Sequence, residues 1–387
     1  MHDTSDSDGR MGSTTRRRVL AVGGAALSTS LAGCGLLGGD DGQNNVGLAQ
    51  FRGSGPLVDS RPELSGPRIA DLPDLSGTIN VYLGGGEGGL YLSLLDLLAS
   101  IYSDFDYNEQ SAPAADLQNT IISETEAGAS PADVFLSVDA GPLGAVAEAG
   151  ATQSLPSAVT DPVSESFRDS EDRWVGFAGR ARSIPYNTNQ FSESDIPENV
   201  MEFATDDRFA GQMGWAPSYS AFQSFITAMR IIEGESATRE WINGMQAQNV
   251  DTYPDEFVTS NAVANGELGA GFANHYYALR VRSARSSAPL DLAFTRGDAG
   301  ALVNVSGAAV IQNTPREQLA YDLIRHLLSV EAQEFFATRT FAYPLISGVP
   351  PVGGLPSIDE LNAPNIDLSR LSDLGATIEL LRDTGAL

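Results

Sequence analysis

The chain has 387 residues; all 23 of its basic residues are arginine, and 50 acidic residues bring the formal net charge to −27. An acidic excess without a basic face argues against nucleic acid as a partner, and 42% hydrophobic residues rule out a chain too polar to bury a core. Self-repulsion on this scale is screened at molar salt, where the Debye length is about 3 Å, so the composition suits a host living in strong brine.

Residues 1–33 read as an export signal. Arg16-Arg17-Arg18 precede an apolar, small-residue run from Val19 to Leu31, too short to cross a bilayer. An arginine pair followed by two apolar residues is the twin-arginine address, which exports folded proteins. Cys34, the only cysteine, follows Leu31-Ala32-Gly33, where a lipoprotein peptidase would cut and a lipid would be attached. The alternative is a buried, inert cysteine. The expected location is the outer face of the cytoplasmic membrane, anchored by lipid, with no disulfides. Residues 34–76 are rich in Gly, Asp, Pro, Ser and Asn without a period and are expected to be a flexible tether. No later apolar run is long enough for a transmembrane helix.

From Gly77 the pattern becomes α/β. Strands are expected at 79–83, 132–136, 181–186, 212–216, 250–253, 268–273 and 290–294. Helices are expected at 90–102, 141–149, 219–232, 236–246, 256–265, 315–328 and 330–337. Their alternation implies a largely parallel sheet. About 310 folded residues are too many for one core, which implies two lobes.

Several motifs carry chemistry. Gly84-Gly85-Gly86-Glu87-Gly88-Gly89 matches G-x-G-x-x-G between a strand and a helix, with Asp104 and Asp106 further on. It reads either as a dinucleotide fingerprint or as glycines that let the backbone approach an anion at a helix N-terminus. Asn274-His275-Tyr276-Tyr277 follows an apolar strand. The tyrosines are either a core pair or, if the chain turns there, convergent phenols; phenolate oxygens are hard donors suited to a small, highly charged cation. Gly176 to Asn187 combines a glycine turn, Arg180, Arg182 and Tyr186. The arginine forks suit an oxyanion or local acids. Asn304-Val305-Ser306 fits a glycosylation acceptor. His275 and His326 read as packed residues. No G-x-S-x-G, H-E-x-x-H or cysteine nucleophile is present, so catalysis is poorly supplied.

Four segments in order resemble the ferric-iron-binding extracellular substrate-binding proteins of ABC importers. They are Trp174-Val175-Gly176-Phe177-Ala178-Gly179-Arg180-Ala181-Arg182, Gly214-Trp215-Ala216-Pro217-Ser218-Tyr219-Ser220-Ala221-Phe222-Gln223, Asn274-His275-Tyr276-Tyr277, and Gly297-Asp298-Ala299-Gly300-Ala301-Leu302-Val303-Asn304-Val305. The resemblance runs over residues 79–361 and implies a two-lobed α/β fold of the periplasmic-binding-protein type II kind. Each lobe would be a mixed sheet flanked by helices, with the ligand cleft between lobes that close by hinge motion. Lobe 1 would be 77–178 and 297–387, and lobe 2 would be 179–296.

The same resemblance places Tyr276 and Tyr277 in the dyad that holds iron and Tyr186 as a third tyrosine. Glu87 falls in the glycine loop, where relatives carry Arg, His or Tyr ligands. A Glu that some members use falls at Val138, with Asp139 beside it. Ala178, Gly179, Arg180, Ser218 and Asn274 would hold a synergistic anion, phosphate or carbonate. Relatives often carry Asn one place after Ser218, where this chain has Tyr219. The function implied is that of a monomeric, lipid-anchored receptor, not an enzyme, that delivers Fe(III) to an ABC permease in the membrane. The alternatives are a receptor of the same fold for an oxyanion, thiamine or polyamine, using Arg180, Asn274 and the glycine loop, and an NAD-linked oxidoreductase built on Gly84, Gly86 and Gly89.

Overall fold

The computed structural model describes residues 47–85, 89–128 and 130–387. The export segment, Cys34 and Glu87 lie outside the described residues. After one turn, α1 (Leu48–Phe51), come β1 (Gly77–Gly84), α2 (Leu90–Ile101), β2 (Phe105–Ala112), α3 (Ala114–Glu126), β3 (Val134–Ser137), α4 (Ala140–Glu148) and the short α5 (Ser157–Thr160). Next are β4 (Val175–Asn187), β5 (Met213–Trp215), α6 (Ser220–Ile232), α7 (Glu235–Ala247), β6 (Asp251–Thr252) and α8 (Glu256–Asn265). β7 (Ala270–Gly271), β8 (Ala273–Asn274), α9 (His275–Ala284), β9 (Leu290–Ala293) and β10 (Val303–Val310) follow. The chain ends with α10 (Glu317–Leu327), α11 (Val330–Phe335), a π-helix (Phe336–Thr340), β11 (Tyr343–Pro344) and α12 (Leu374–Asp383).

The strands run in the order β2-β1-β3-β10-β4-β7-β5-β6, with β8, β9 and β11 also pairing with β4. β1 is parallel to β2 and β3, and β10 returns antiparallel between β3 and β4. β5 is parallel to β6 and β7. β4 joins the two mixed groups. Its first half pairs with β10 and β11; its second half pairs with β7, β8 and β9. A strand paired on both sides and covered by helices buries both faces, and every residue of β4 is buried. The expected strand over 181–186 therefore starts earlier, at Val175.

Two expectations about chain ends change. The flexible tether does not extend through residues 47–76. Phe51 is fully buried, and Leu64, Ile69 and Leu75 enter the same core. Arg52 and Arg61 both bond the buried carboxylate of Glu334, while Arg339 donates to the carbonyls of Gln50 and Phe51. The apolar residues that anchor this segment are scattered among Gly and Pro without a period, so no pattern marks them. At the other end, lobe 1 was expected to keep everything from 297 to 387. The turn Leu368–Ser372 does lie on α4, where a β-carbon on Gly141 or Gly144 would collide with Ser372 or Ser369. α12, however, sits on α6, with Thr377 bonded to Thr227 at 2.7 Å and to Arg230 at 3.1 Å. Gln246 of α7 donates to the carbonyl of Thr384. The chain thus crosses between the two strand groups a third time.

If residues 47–76 are core, Phe51→Ala will cost about 3–5 kcal/mol, the usual penalty for emptying a buried aromatic site. Denaturant unfolding in molar salt measures it; a loss near zero would return the segment to the tether.

Candidate functional site

The sequence expected one strand over 268–273. The structure breaks it at Phe272 into β7 and β8, and α9 begins directly after Asn274. Asn274 caps the helix in extended conformation, φ −66° and ψ 138°. Tyr276 and Tyr277 therefore occupy the first helical turn rather than opposite faces of a strand. Successive helical residues are about 100° apart, which lets both rings lean the same way: their centroids are 4.3 Å apart. Both are buried, as a core pair would be. Their hydroxyls make the difference. The Tyr277 hydroxyl is hydrogen-bonded to that of Tyr219, and Asn274 Nδ2 donates to the Tyr276 hydroxyl at 3.4 Å. The Arg280 guanidinium lies over both rings, 4.9 and 5.4 Å from their centroids, a favourable cation–π placement.

Tyr219 is the N-cap residue of α6, beside exposed Ser218. Two helix N-termini, those of α6 and α9, thus bring three phenols together. Burial, and then the charges of Tyr276 and Tyr219, push the Tyr277 phenol far above its ordinary value of 10.0, so it stays protonated at neutral pH without a metal. A bound cation reverses that preference. Among the described residues no group of three or more His, Cys, Asp or Glu could hold a metal; the hard donors gathered in one place are the phenols.

The structure brings some expected residues to this place and not others. Tyr276, Tyr277 and Asn274 are together. Tyr186 stands four residues beyond Arg182 on β4, paired with Ala270 and Asp291. Burial raises its phenol, with Asp291 and Glu193 adding to the shift. The phenol that meets the dyad is Tyr219, not Tyr186. Ala178 and Gly179 form no turn. They are strand rungs held between β10 and β11, with Ala178 fully buried; a β-carbon on Gly179 would press on Tyr343, so the glycine there serves close strand packing rather than a turn. Arg180 bonds Asp139, which also accepts from Asn304 Nδ2 at 3.0 Å. Arg182 bonds the fully buried Glu256, whose other oxygen accepts the Asn274 N–H at 2.8 Å. Sequence reading missed Tyr219 and Glu256. The first had a signal, a tyrosine at the start of the amphipathic stretch 219–232 inside a motif segment; the second had none. Gly85, which follows β1, has φ 91°, and a β-carbon there would strike Val138, just after β3.

Both histidines among the described residues, His275 and His326, are structural. His326 meets the Tyr102 hydroxyl and the Asp322 carbonyl. The Phe341 carbonyl can only accept, so His275 carries its proton on Nε2, 2.7 Å away, and Nδ1 accepts the Ala181 N–H at 3.2 Å. Phe341 sits in the left-handed region, φ 61°, a costly place for a bulky residue, and His275 ties it to β4.

Strand order, mixed sheets and the crossing strand define a two-lobed solute-binding protein of the periplasmic-binding-protein type II fold, not an enzyme. The chain belongs to the family described as bacterial extracellular solute-binding protein, which it matches over residues 129–365. It is 30% identical over 270 residues to the major ferric iron-binding protein of Neisseria meningitidis serogroup B, covering 67% of this chain and 80% of that one. It is 30% identical over 322 residues to iron uptake protein A2 of Synechocystis sp., covering 78% and 89%. The crystal structure of iron-bound HitA from Pseudomonas aeruginosa superposes with a TM-score of 0.69 at 26% identity, covering 80% of this chain and 99% of that one. Family membership sets aside the dinucleotide reading of the glycine loop.

Burial pushes His275 down from 6.5 to about 4, with Arg180 and Arg280 acting in the same direction. The unfolded chain thus takes up its proton first as pH falls. The contribution of neutral His275 is complete above about 6.5 and is lost as pH falls towards about 4. Unfolding free energy measured across that window will fall with pH. His275→Asn will flatten the slope in part, because burial also holds His326 below its ordinary value.

Proposed function

We propose that this protein captures Fe(III) through Tyr219, Tyr276 and Tyr277 and delivers it to an ABC permease. The observation that carries the reading is the meeting of three phenols at the N-termini of α6 and α9, with the Tyr219 and Tyr277 hydroxyls in contact. Three phenolates neutralise a trivalent cation, and hard anionic oxygens are the donors such a cation prefers. Free Fe(III) hydrolyses in neutral water, so a receptor must enclose it in oxygen donors. The ferric iron-binding protein of Neisseria and iron-bound HitA support the choice of cargo. Glu87 of the glycine loop is the carboxylate proposed from the opposite lobe. Opening the lobes then separates donors on the two walls and releases the ion. Export by the twin-arginine route and a lipid on Cys34 would keep a monomeric receptor beside its permease.

Ferric citrate titrated into the mature domain in molar salt is expected to raise a phenolate-to-iron charge-transfer band that saturates at one iron per protein. Tyr276→Phe or Tyr277→Phe will weaken iron binding more than about 100-fold, beyond what loss of an outer-shell partner costs. Tyr219→Phe will shift the band, whereas Tyr186→Phe will leave it in place. Full binding by both dyad variants would remove the site assignment.

The proton balance gives an independent check. Protonated phenols that become ligands give up their protons, so iron uptake will release about three protons in a pH-stat, and affinity will fall as pH falls. Uptake with no proton release would mean that the phenols are not ligands.

A further inference from the structure

Among the described residues three large apolar side chains are exposed: Phe257, Val258 and Leu387. Leu387 is the last residue of the chain. The other two are neighbours in the first turn of α8. Single apolar residues scattered over a surface need no explanation. An adjacent pair beside the phenols, in a chain with 50 acidic residues, does.

Phe257 lies against the dyad. Its ring centroid is 6.4 Å from that of Tyr277, with the planes tilted by 54°. Tyr277 is 8% exposed and Phe257 42%, so Phe257 is the outer ring of the two. The backbone around it is tied on both sides. Asp255 caps α8 and accepts the Val258 N–H at 2.8 Å. Glu256 is fully buried, bonded to Arg182 and to the Asn274 N–H. Asn261 Nδ2 donates to the Phe257 carbonyl at 2.9 Å. The start of α8 thus holds an apolar ring at the solvent edge of the phenols.

A phenylalanine side chain cannot bond a metal or an anion, but it can exclude water. A phenolate–metal bond is lost when water or a competing oxygen donor reaches it, and apolar cover slows that approach. For a donor to come in past Tyr277 from the α8 side, the Phe257 ring must leave its neighbour and expose apolar surface buried between them. The same barrier stands on the way in and on the way out. A group that touches a ligand's ring but not the ion therefore changes both rates by one factor and leaves the equilibrium as it was.

We propose that Phe257 is an apolar lip of the iron site, which keeps water and hydrophilic chelators off the Tyr277 phenolate and so sets how fast iron enters and leaves, not how tightly it is held. The proposal rests on the iron reading above and adds to it a residue that governs rate.

The test follows the charge-transfer band by stopped flow in molar potassium chloride, during loading of the mature protein from ferric citrate and during removal of its iron by EDTA. Phe257→Gln is expected to speed both steps about 5- to 20-fold, the rate equivalent of the part of a phenylalanine side chain that is buried here. Band position and iron affinity are expected to stay those of the wild type. Phe257→Leu, which keeps apolar cover, is expected to stay near the wild-type rates, an outcome that loss of a merely structural contact would not give. Unchanged rates in Phe257→Gln overturn the proposal. So does a loss of affinity that matches the faster release, or a leucine variant as fast as the glutamine one. In each of these cases a wild-type band that saturates at one iron leaves the iron reading standing. A folded wild-type protein that shows no band and retains no iron overturns that reading and this proposal with it.

Discussion

Two guanidiniums buried on a single strand face constrain much of this structure. A charge removed from water must be matched at close range by an opposite charge, so β4 can carry Arg180 and Arg182 only if other elements deliver carboxylates to them. Asp139 arrives just before α4, and Glu256 arrives as the first residue of α8. The two partners belong to the two strand groups that β4 joins. Matching the arginines therefore fixes both sides of the chain against the same strand, and the Glu256 side also fixes Asn274, where α9 starts and the tyrosines follow.

Much of the architecture can be read from apolar spacing. The helix expected over 256–265 is found there, and β1, α2, α6 and α7 lie within a few residues of their expected places. What escaped has identifiable physical causes. β2 pairs with β1 alone and is largely exposed, so Phe105–Ala112 shows no apolar run. β10 is buried throughout but built from Asn, Ser, Gly and Ala among three valines, which reads as loop. α9 follows a strand without a break, and two tyrosines hide its start.

The site was legible to the same degree. The dyad stands out because two adjacent tyrosines follow an apolar strand and open a helix. The phenol beside the dyad depends on tertiary geometry: Tyr186 pairs along β4 with Ala270 and Asp291, while Tyr219 is more than fifty residues before the dyad and touches it. Glu256 has no sequence signal, since an acidic residue in the first turn of a helix is ordinary; only its burial against Arg182 distinguishes it.

The third chain crossing bears on mechanics. Leu368–Ser372 is seated on α4 and α12 on α6, so the two strand groups are joined by β4, by the return into β10, and by this last segment. Two bodies linked by a single strand are free to twist about its axis as well as to bend. Three separate links resist torsion while leaving a bending mode, much as spaced pins hold a door to one swing. The opposing walls would then meet in the same register at every closure, and donors from one wall would return to the same place opposite the phenols of the other.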